Sequence, residues 1–393
     1  MRRKRKICVV TTSRADYGVI FWLLKEIEQD RQLELQLLIS GAHLGAAAGL
    51  TARQIKIDFP LAQNVKMLLE ADSEEGLSKA VGLGCTAFAQ TFQRLRPDLL
   101  VLCGDRFEML APALAALLKR IPIAHIHGGE VTQGALDDSV RHALTKLAVL
   151  HFAAAEEYRR RIIQLGEDPK RVFCFGAPGL DQIARLQLLS RERLREVLGF
   201  PGEAPTAMIT YHPVTLEKGQ ARRQISILLA ALEASPLTGL ITKANADNEG
   251  RVINELCLAF CRANPQRFKF VANLGTLNYL SCLKHFDLMI GNSSSGIIEA
   301  PSFRLPVVNV GLRQLGRARS KNILDVPCEK KAILEGVNRA LSAGFKRRLA
   351  AMKNVYAPKS VGRASYRIKE VLKSADLSEE LLRKRFFDVE FRK

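Results

Sequence analysis

Six polar stretches follow directly on apolar, strand-like runs: Ser13-Arg14-Ala15-Asp16-Tyr17-Gly18, Gly41-Ala42-His43, Gly104-Asp105-Arg106, His127-Gly128-Gly129-Glu130, His212-Pro213 and Gly291-Asn292-Ser293-Ser294-Ser295-Gly296. Asp105, Glu130, Asp137 and Asp138 are expected around the same sheet edge as His125 and His127, the residue types that give and take protons on a reacting sugar ring. If two such carboxyls pair closely, one is pushed up in pKa and can act as an acid while the other stays ionised. Asp105 also has a plainer reading, as the cap of a helix starting at Phe107. His125 and His127 alternate along a predicted strand, so they are expected on one face, a spacing also found in metal sites. The two glycines after His127 favour close backbone approach to a sugar or phosphate over a metal, and no metal is expected.

The run Gly291 to Gly296 has the small residues and hydroxyls that let backbone N–H groups at a helix start approach an anion. Glu299 is then expected one to two turns inside that helix, where its carboxylate can accept from ribose hydroxyls or simply face solvent. Gly82-Leu83-Gly84-Cys85-Thr86-Ala87 fits a dinucleotide fingerprint by letter only, since it lies in a helical stretch ahead of its strand. The chain also has no P-loop, so no NAD or other cofactor is expected.

Elements must hold these loops at one edge of a sheet. Strands are expected at Ile7–Thr11, Glu34–Ile39, Leu99–Cys103, Ile121–Ile126, Leu150–Ala154 and Val172–Phe175. The pattern restarts at Ala207–Tyr211, Gly239–Thr242, Phe268–Val271, Asp287–Ile290 and Val307–Val310, with helix-length segments filling most gaps. This alternation predicts an α/β protein of two Rossmann-like, doubly wound domains. In open α/β sheets ligands bind beyond the carboxyl ends of the strands, where the six loops lie. Pro and Gly cluster between Gly176 and Pro205, so the domains are expected at 1–178 and 200–360, with a helical tail over 361–393 that can pack back on the first domain.

The 59 Lys and Arg against 40 Asp and Glu give a formal charge of +19, which calls for an anionic partner. Arg2 to Lys6 is the only dense basic run, no nucleic-acid motif accompanies it, and only 6% of residues are aromatic. A phosphorylated small molecule is therefore expected rather than nucleic acid. The run leads straight into a strand without a signal-peptide apolar region. The apolar stretch Met109–Leu118 has ten residues, includes Pro112, and is far short of a membrane span. Eight scattered cysteines form no CxxC pair, as in reduced proteins. A cytoplasmic protein without membrane attachment is expected.

Together, SRADYG (13–18), GDRFE (104–108), HIHGGE (125–130), DDSVRHALTKLAVLHF (137–152), HPVT (212–215), GNSSSGIIEAPSF (291–303) and RQLGRARSKNILDV (313–326) resemble the hydrolysing UDP-N-acetylglucosamine 2-epimerases. The resemblance runs from about residue 6 to about 370 and is strongest to the bacterial enzymes of sialic acid synthesis. It extends to the N-terminal half of the bifunctional animal enzyme. It implies the glycosyltransferase-B architecture with the active site in the interdomain cleft, a homodimer or homotetramer, and a UDP-sugar substrate. The implied chemistry is elimination of UDP across C1 and C2 to a glycal, followed by hydration that inverts C2. Catalytic positions implied are Asp105, Glu130, Asp137 and His212, with His127 standing where the animal enzyme has Glu, so that the identity of the base stays open. For the nucleotide, the resemblance implies Arg14, Ser293 and Ser294 on phosphates, Glu299 on the ribose and Arg313 on the diphosphate or uridine. Gly176 and Asn245 are further binding positions, and His43, Arg106 and Gly296 complete the binding set from the strand-end loops. The expected substrate is UDP-N-acetylglucosamine, giving N-acetylmannosamine. The alternative is the 2,4-diacetamido-2,4,6-trideoxyglucose analogue of legionaminic acid synthesis. Rivals of other classes are a glycosyltransferase of the same architecture and a basic nucleic-acid-binding protein.

Overall fold

Runs rich in leucine and β-branched residues, buried on both faces, form parallel sheets once helices cover each side. In the computed structural model, which describes residues 3–45, 49–67, 73–132, 136–199, 205–214, 217, 219–244, 249–358 and 361–390, this produces two sheets. The chain divides into unit 1, Met1–Gln182 with Tyr356–Lys393, and unit 2, Ile183–Val355.

Unit 1 carries β1 (Arg5–Thr11), β2 (Leu33–Ile39), β3 (Gln63–Asn64), β4 (Leu99–Cys103), β5 (Ile123–Ile126), β6 (Leu150–Ala153) and β7 (Val172–Cys174) in the order β3-β2-β1-β4-β5-β6-β7. Every neighbouring pair is parallel. Between the strands run α1 (Arg14–Gln29), α2 (Gly49–Asp58), α3 (Glu74–Leu95), α4 (Leu110–Leu118) and α5 (Leu136–Leu147). One face of the sheet packs Ile20, Leu23, Leu24 and Ile27 of α1 with Ile368 and Leu372 of the helix Ala364–Ser374. The other packs Phe88 and Phe92 of α3 with the alanines of α4. Asp181 fixes the return of the tail, accepting from the N–H groups of Ala364 (3.1 Å) and Ser365 (2.6 Å).

Unit 2 orders its strands β10-β9-β8-β11-β12-β13, all parallel, where β8 is Thr206–Thr210, β9 Thr238–Thr242, β10 Phe268–Val271, β11 Leu288–Gly291, β12 Val307–Val310 and β13 Ile323–Val326. Each chain order reverses once, between β1 and β4 in unit 1 and between β8 and β11 in unit 2. Such a switch point opens a crevice at the strand ends, the place where α/β sheets bind ligands.

Two edge strands, β3 and β13, are absent from the sequence expectation. β3 is two polar residues with no periodicity to read. β13 is four residues interrupted by Asp325, whose carboxylate takes Asn309 Nδ2 (2.7 Å) and Arg319 Nε (2.8 Å). The helical tail expected over 361–393 is helical only at Ala364–Ser374 and Glu379–Leu382 among the described residues, and beyond it Lys384 donates to the carbonyls at the end of α5. Among the described residues no helix is long and apolar enough to cross a membrane.

Candidate active site

In unit 1 the loops at the switch point are built first by local capping. Ser13 caps α1 and Asp16 closes a capping box. The Asp16 carboxylate also takes the hydroxyls of Thr11, Thr12 and Ser13 and the N–H groups of Thr12 and Ser13. Asp16 is thereby used up in shaping the turn, which leaves Arg14 exposed at the first helical position. His43 is buried behind this turn with Nε2 2.9 Å from Thr11 Oγ1. Burial pushes its pKa down to about 4, and the nearby Arg106 and Arg14 add to the effect. His43 is therefore a neutral hydrogen-bonding group at neutral pH.

Beyond β4, Gly104 turns in the left-handed region (φ +83). Asp105 follows, bound through Oδ2 to Nη2 of Arg141. Arg141 sits in α5 with only 1% of its side chain exposed, and its guanidinium also donates to Asp138 Oδ1 (3.0 Å), Thr132 Oγ1 (2.9 Å) and the Glu130 carbonyl (2.9 Å). One buried cation thus gathers two carboxylates and the backbone of the Glu130 loop. Asp137, one residue before Asp138 in the first turn of α5, is exposed. Partial burial of its carboxyl, and then repulsion from Asp105, raise its pKa. Arg106 does not remain free, since its guanidinium forks onto Glu108 at 2.7 to 3.2 Å.

The two histidines of HIHGGE do not share a strand face. β5 ends at Ile126, and His127 takes a left-handed backbone (φ +65), which breaks the alternation. His125 is fully buried, with Nε2 2.8 Å from the Gly104 carbonyl, and burial lowers its pKa to about 3. It is a neutral core residue that ties β5 to the Asp105 turn. His127 instead places Nδ1 2.6 Å from Glu130 Oε1, and its Nε2 is buried without a hydrogen-bond partner among the described residues. An ionised carboxylate only accepts, so the pair orients the ring with its Nδ1–H toward Glu130. Among the described residues no three His, Cys, Asp or Glu side chains converge as a metal ion requires. Gly176 has φ +96, and a Cβ there would stand 2.5 Å from the Tyr356 carbonyl, which also accepts from Ala177 N (2.8 Å). A backbone contact therefore accounts for this glycine.

Unit 2 builds its switch point around Asn292, fully buried at the end of β11. Its side chain accepts from His212 N (2.7 Å) and donates to the His212 carbonyl (2.8 Å), locking the β8 and β11 loops together. Gly291 makes this possible, because at φ +131 any Cβ would collide with the Thr210 carbonyl. Arg313 Nη1 and Gln314 Nε2 both donate to the Asn292 carbonyl, at 3.2 and 2.8 Å. His212 is buried, and burial, with Arg313 nearby, lowers its pKa to about 4. The serine run forms a turn in which Ser293 Oγ accepts from Ser295 N (3.3 Å), and Tyr279 donates to Ser295 Oγ (2.6 Å). Ser293 and Ser294 are half-buried. Gly296 lets this turn press on β12, where a Cβ would stand 2.9 Å from Val307 Cγ1.

The helix expected to carry Glu299 is only Ser295–Ile298, and Glu299 caps its C-terminal end before a 3-10 turn at Ala300–Phe303. Pro301 in that turn ends regular helix hydrogen bonding. The serine run therefore leads into a single turn of helix and not the longer helix expected. Asn245 lies outside the described residues. The residues that sequence reasoning left unassigned are Arg141 and Asn292. Their signal was an Arg following two Asp by a helical turn, and an Asn directly after a strand-terminal Gly.

Two doubly wound sheets, with polar groups concentrated at their switch points, define an α/β protein built like the enzymes that bind nucleotides. The chain belongs to the UDP-N-acetylglucosamine 2-epimerase family, whose model matches residues 25–373. It is 42% identical over 323 residues to a GDP/UDP-N,N'-diacetylbacillosamine 2-epimerase (hydrolyzing) of Campylobacter jejuni, covering 82% of this chain and 84% of that protein. It is 36% identical over 381 residues to a UDP-N,N'-diacetylbacillosamine 2-epimerase (hydrolyzing) of Legionella pneumophila, covering 97% and 98%. Identity to the polysialic acid biosynthesis protein P7 of Escherichia coli is 33% over 355 residues, covering 90% of each. Among solved structures, the UDP co-structure of Staphylococcus aureus MnaA shares the fold with a TM-score of 0.74 at 17% identity, covering 98% of this chain and all of that one.

Proposed function

We propose that the protein is a hydrolysing 2-epimerase that converts UDP-N,N'-diacetylbacillosamine, the 2,4-diacetamido-2,4,6-trideoxyglucose derivative, and water into UDP and the free manno-configured sugar. The observation that carries the chemistry is the His127–Glu130 pair, which leaves His127 Nε2 without a hydrogen-bond partner among the described residues, on a loop whose Glu130 carbonyl is tied through Arg141 to Asp105. The substrate reading is supported by the 42% and 36% identities to diacetylbacillosamine enzymes, against 33% to the polysialic acid protein. This order displaces UDP-N-acetylglucosamine, the first expectation from sequence, to the second reading.

In this mechanism His127 Nε2 takes the C2 proton as the C1–O bond to UDP breaks, forming a C1=C2 glycal. Glu130 holds the Nδ1 proton and stabilises the imidazolium that forms. Asp137, its pKa raised, returns a proton to C2 from the opposite face as water adds to C1. Asp105, fixed by Arg141, activates that water. In unit 2, Arg313 and the donors of Ser293 and Ser294 take the diphosphate, where negative charge grows as the bridging bond breaks. Glu299 accepts from the ribose, and Arg14 adds positive charge for the phosphates. His212, neutral by burial, donates a hydrogen bond without competing for the anion.

Incubating the purified protein separately with UDP-N,N'-diacetylbacillosamine and with UDP-N-acetylglucosamine, and identifying the products, tests the reading. Release of UDP with a free 2-epimerised 2,4-diacetamido sugar is expected, with at least tenfold lower kcat/KM on UDP-N-acetylglucosamine. Preference for UDP-N-acetylglucosamine would overturn the substrate, and transfer of an intact sugar to an acceptor would overturn the reaction.

A further inference from the structure

At the rim of the unit 1 sheet opposite Asp105 and His127, a cavity of about 490 Å³ opens where the chain enters β6 and β7. Lys170, Arg171, Arg383, Lys384 and Arg385 line it, against the carboxylates of Glu167, Asp168 and Glu380. These carboxylates offset only part of the positive charge of the wall. Glu167 is buried and already shared by Lys146 (2.6 Å), Lys384 (2.6 Å) and His151 (3.0 Å). Asp168 caps the turn at Lys170 N (2.9 Å), and Glu380 stands 3.8 Å from Arg383. Arg171 donates to the carbonyls of Leu381 (2.9 Å) and Glu380 (3.2 Å), neutral acceptors that hold its guanidinium in place without cancelling its charge. Lys384 likewise reaches the carbonyls of Lys146 and Ala148, each at 2.7 Å. Lys170 and Arg385 are exposed and have no carboxylate partner among the described residues. Burial pushes the Lys384 pKa down, and the crowding of Lys146 and Arg171 adds to the shift against the pull of Glu167.

Two aromatic rings stand at the mouth. Phe387 N donates to the Gly166 carbonyl (3.0 Å), and the Phe386 ring lies where a Cβ on Gly166 would be. The backbone is therefore pinned, yet Phe386 is 65% exposed and Phe387 39%. Fixed aromatic faces beside excess positive charge are the two requirements for holding a base and its phosphates.

We propose that this pocket binds a nucleoside phosphate, its phosphates on Lys170, Arg171 and Arg385 and its base against Phe386 and Phe387. It is a second site, on elements that the epimerase reading does not use, and it stands or falls independently of that reading. Charge-assisted contacts from Lys and Arg supply the affinity for the phosphates.

Calorimetry of the full chain with ADP, and separately with inorganic pyrophosphate, tests the site. Both are expected to bind, with one equivalent weakened at least tenfold in the double variant Lys170→Glu, Arg385→Glu, whose exposed side chains leave the core untouched. Phe386→Ala is expected to weaken ADP about tenfold and to leave pyrophosphate within twofold. Affinities and stoichiometries unchanged in the double variant would overturn the proposal. So would a 20-nucleotide single-stranded DNA that binds more tightly than ADP and is lost in that variant, since this rim would then be a nucleic-acid surface.

Discussion

Replacing Arg141 by Met removes a single buried cation while keeping most of its volume, and the structure sets the size of the effect. Its guanidinium donates to Asp105, Asp138, Thr132 and the Glu130 carbonyl. Breaking a fully buried ion pair by removing one partner costs about 3–5 kcal/mol. Here the Asp105 and Asp138 side chains are 30% and 28% exposed, so each turns partly to water and the charge contribution shrinks well below that range. The Glu130 carbonyl and Thr132 hydroxyl lose a donor at about 1 kcal/mol each. A net loss of about 2–4 kcal/mol in unit 1 follows, which at about 2–4 °C per kcal/mol is a fall in its melting temperature of about 4–16 °C. Scanning calorimetry and urea unfolding measure it, with steady-state turnover recorded well below the new transition. Turnover is expected to drop more than about tenfold, because Asp105 and the Glu130 loop lose their common anchor. Arg141→Lys, with one ammonium for four acceptors, is expected to fall between wild type and Met. A Met variant melting within about 1 °C of wild type and turning over within threefold would show that Arg141 neither holds the site together nor positions Asp105.

Glu130→Gln leaves the shape of the His127 pair but removes the charge that stabilises imidazolium. Turnover is expected to fall about 10²- to 10⁴-fold while UDP affinity by calorimetry stays within threefold. Arg313→Ala, which loses a charge-assisted phosphate contact, is expected to weaken UDP about tenfold or more, and Glu299→Ala to weaken it less, since ribose hydroxyls are neutral. The pH dependence of stability follows from His43, His125 and His212, whose folded pKa values lie near 4, 3 and 4, below the unfolded value of about 6.5. Above about pH 6.5 these three are neutral in both states and cost nothing. As pH falls toward 4 the unfolded chain takes up protons that the folded chain refuses, so stability drops by up to about 1.4 kcal/mol per pH unit for each histidine. Urea unfolding between pH 7 and 5 checks this, and His43→Gln is expected to flatten the unit 1 slope.

Both sheets and their strand-end loops were legible in the sequence because strands buried on both faces read as apolar runs, and the polar residues that end them stand out. β4, β10 and β12 fall on their expected residues, β8 and β11 are shifted by one position at both ends, and the other expected strands differ by one or two positions at one end. Legibility failed where a single backbone angle decides the outcome. The alternation of His125 and His127 pointed to a shared face, but the left-handed turn at His127 separates a core histidine from one paired to Glu130. The same holds for Glu299, since the helix after the serine run stops at Ile298 and Pro301 begins a different turn. Arg141 stayed hidden because a buried Arg looks like any solvated helix residue until four acceptors, from its own helix and two separate loops, are brought around it. The Lys384 contacts with Glu167 and the end of α5 could not be read from periodicity, as they stand where the expected helical tail would continue.

Whether the protein removes and returns the C2 proton is decided by running the reaction in heavy water and recording the proton NMR spectrum of the released sugar. Abstraction by His127 and return of a solvent proton from the other face place deuterium at C2 of a manno-configured product, so the C2 signal is lost within the first turnover. A gluco-configured product that keeps its full C2 hydrogen would contradict epimerisation and leave simple hydrolysis in its place.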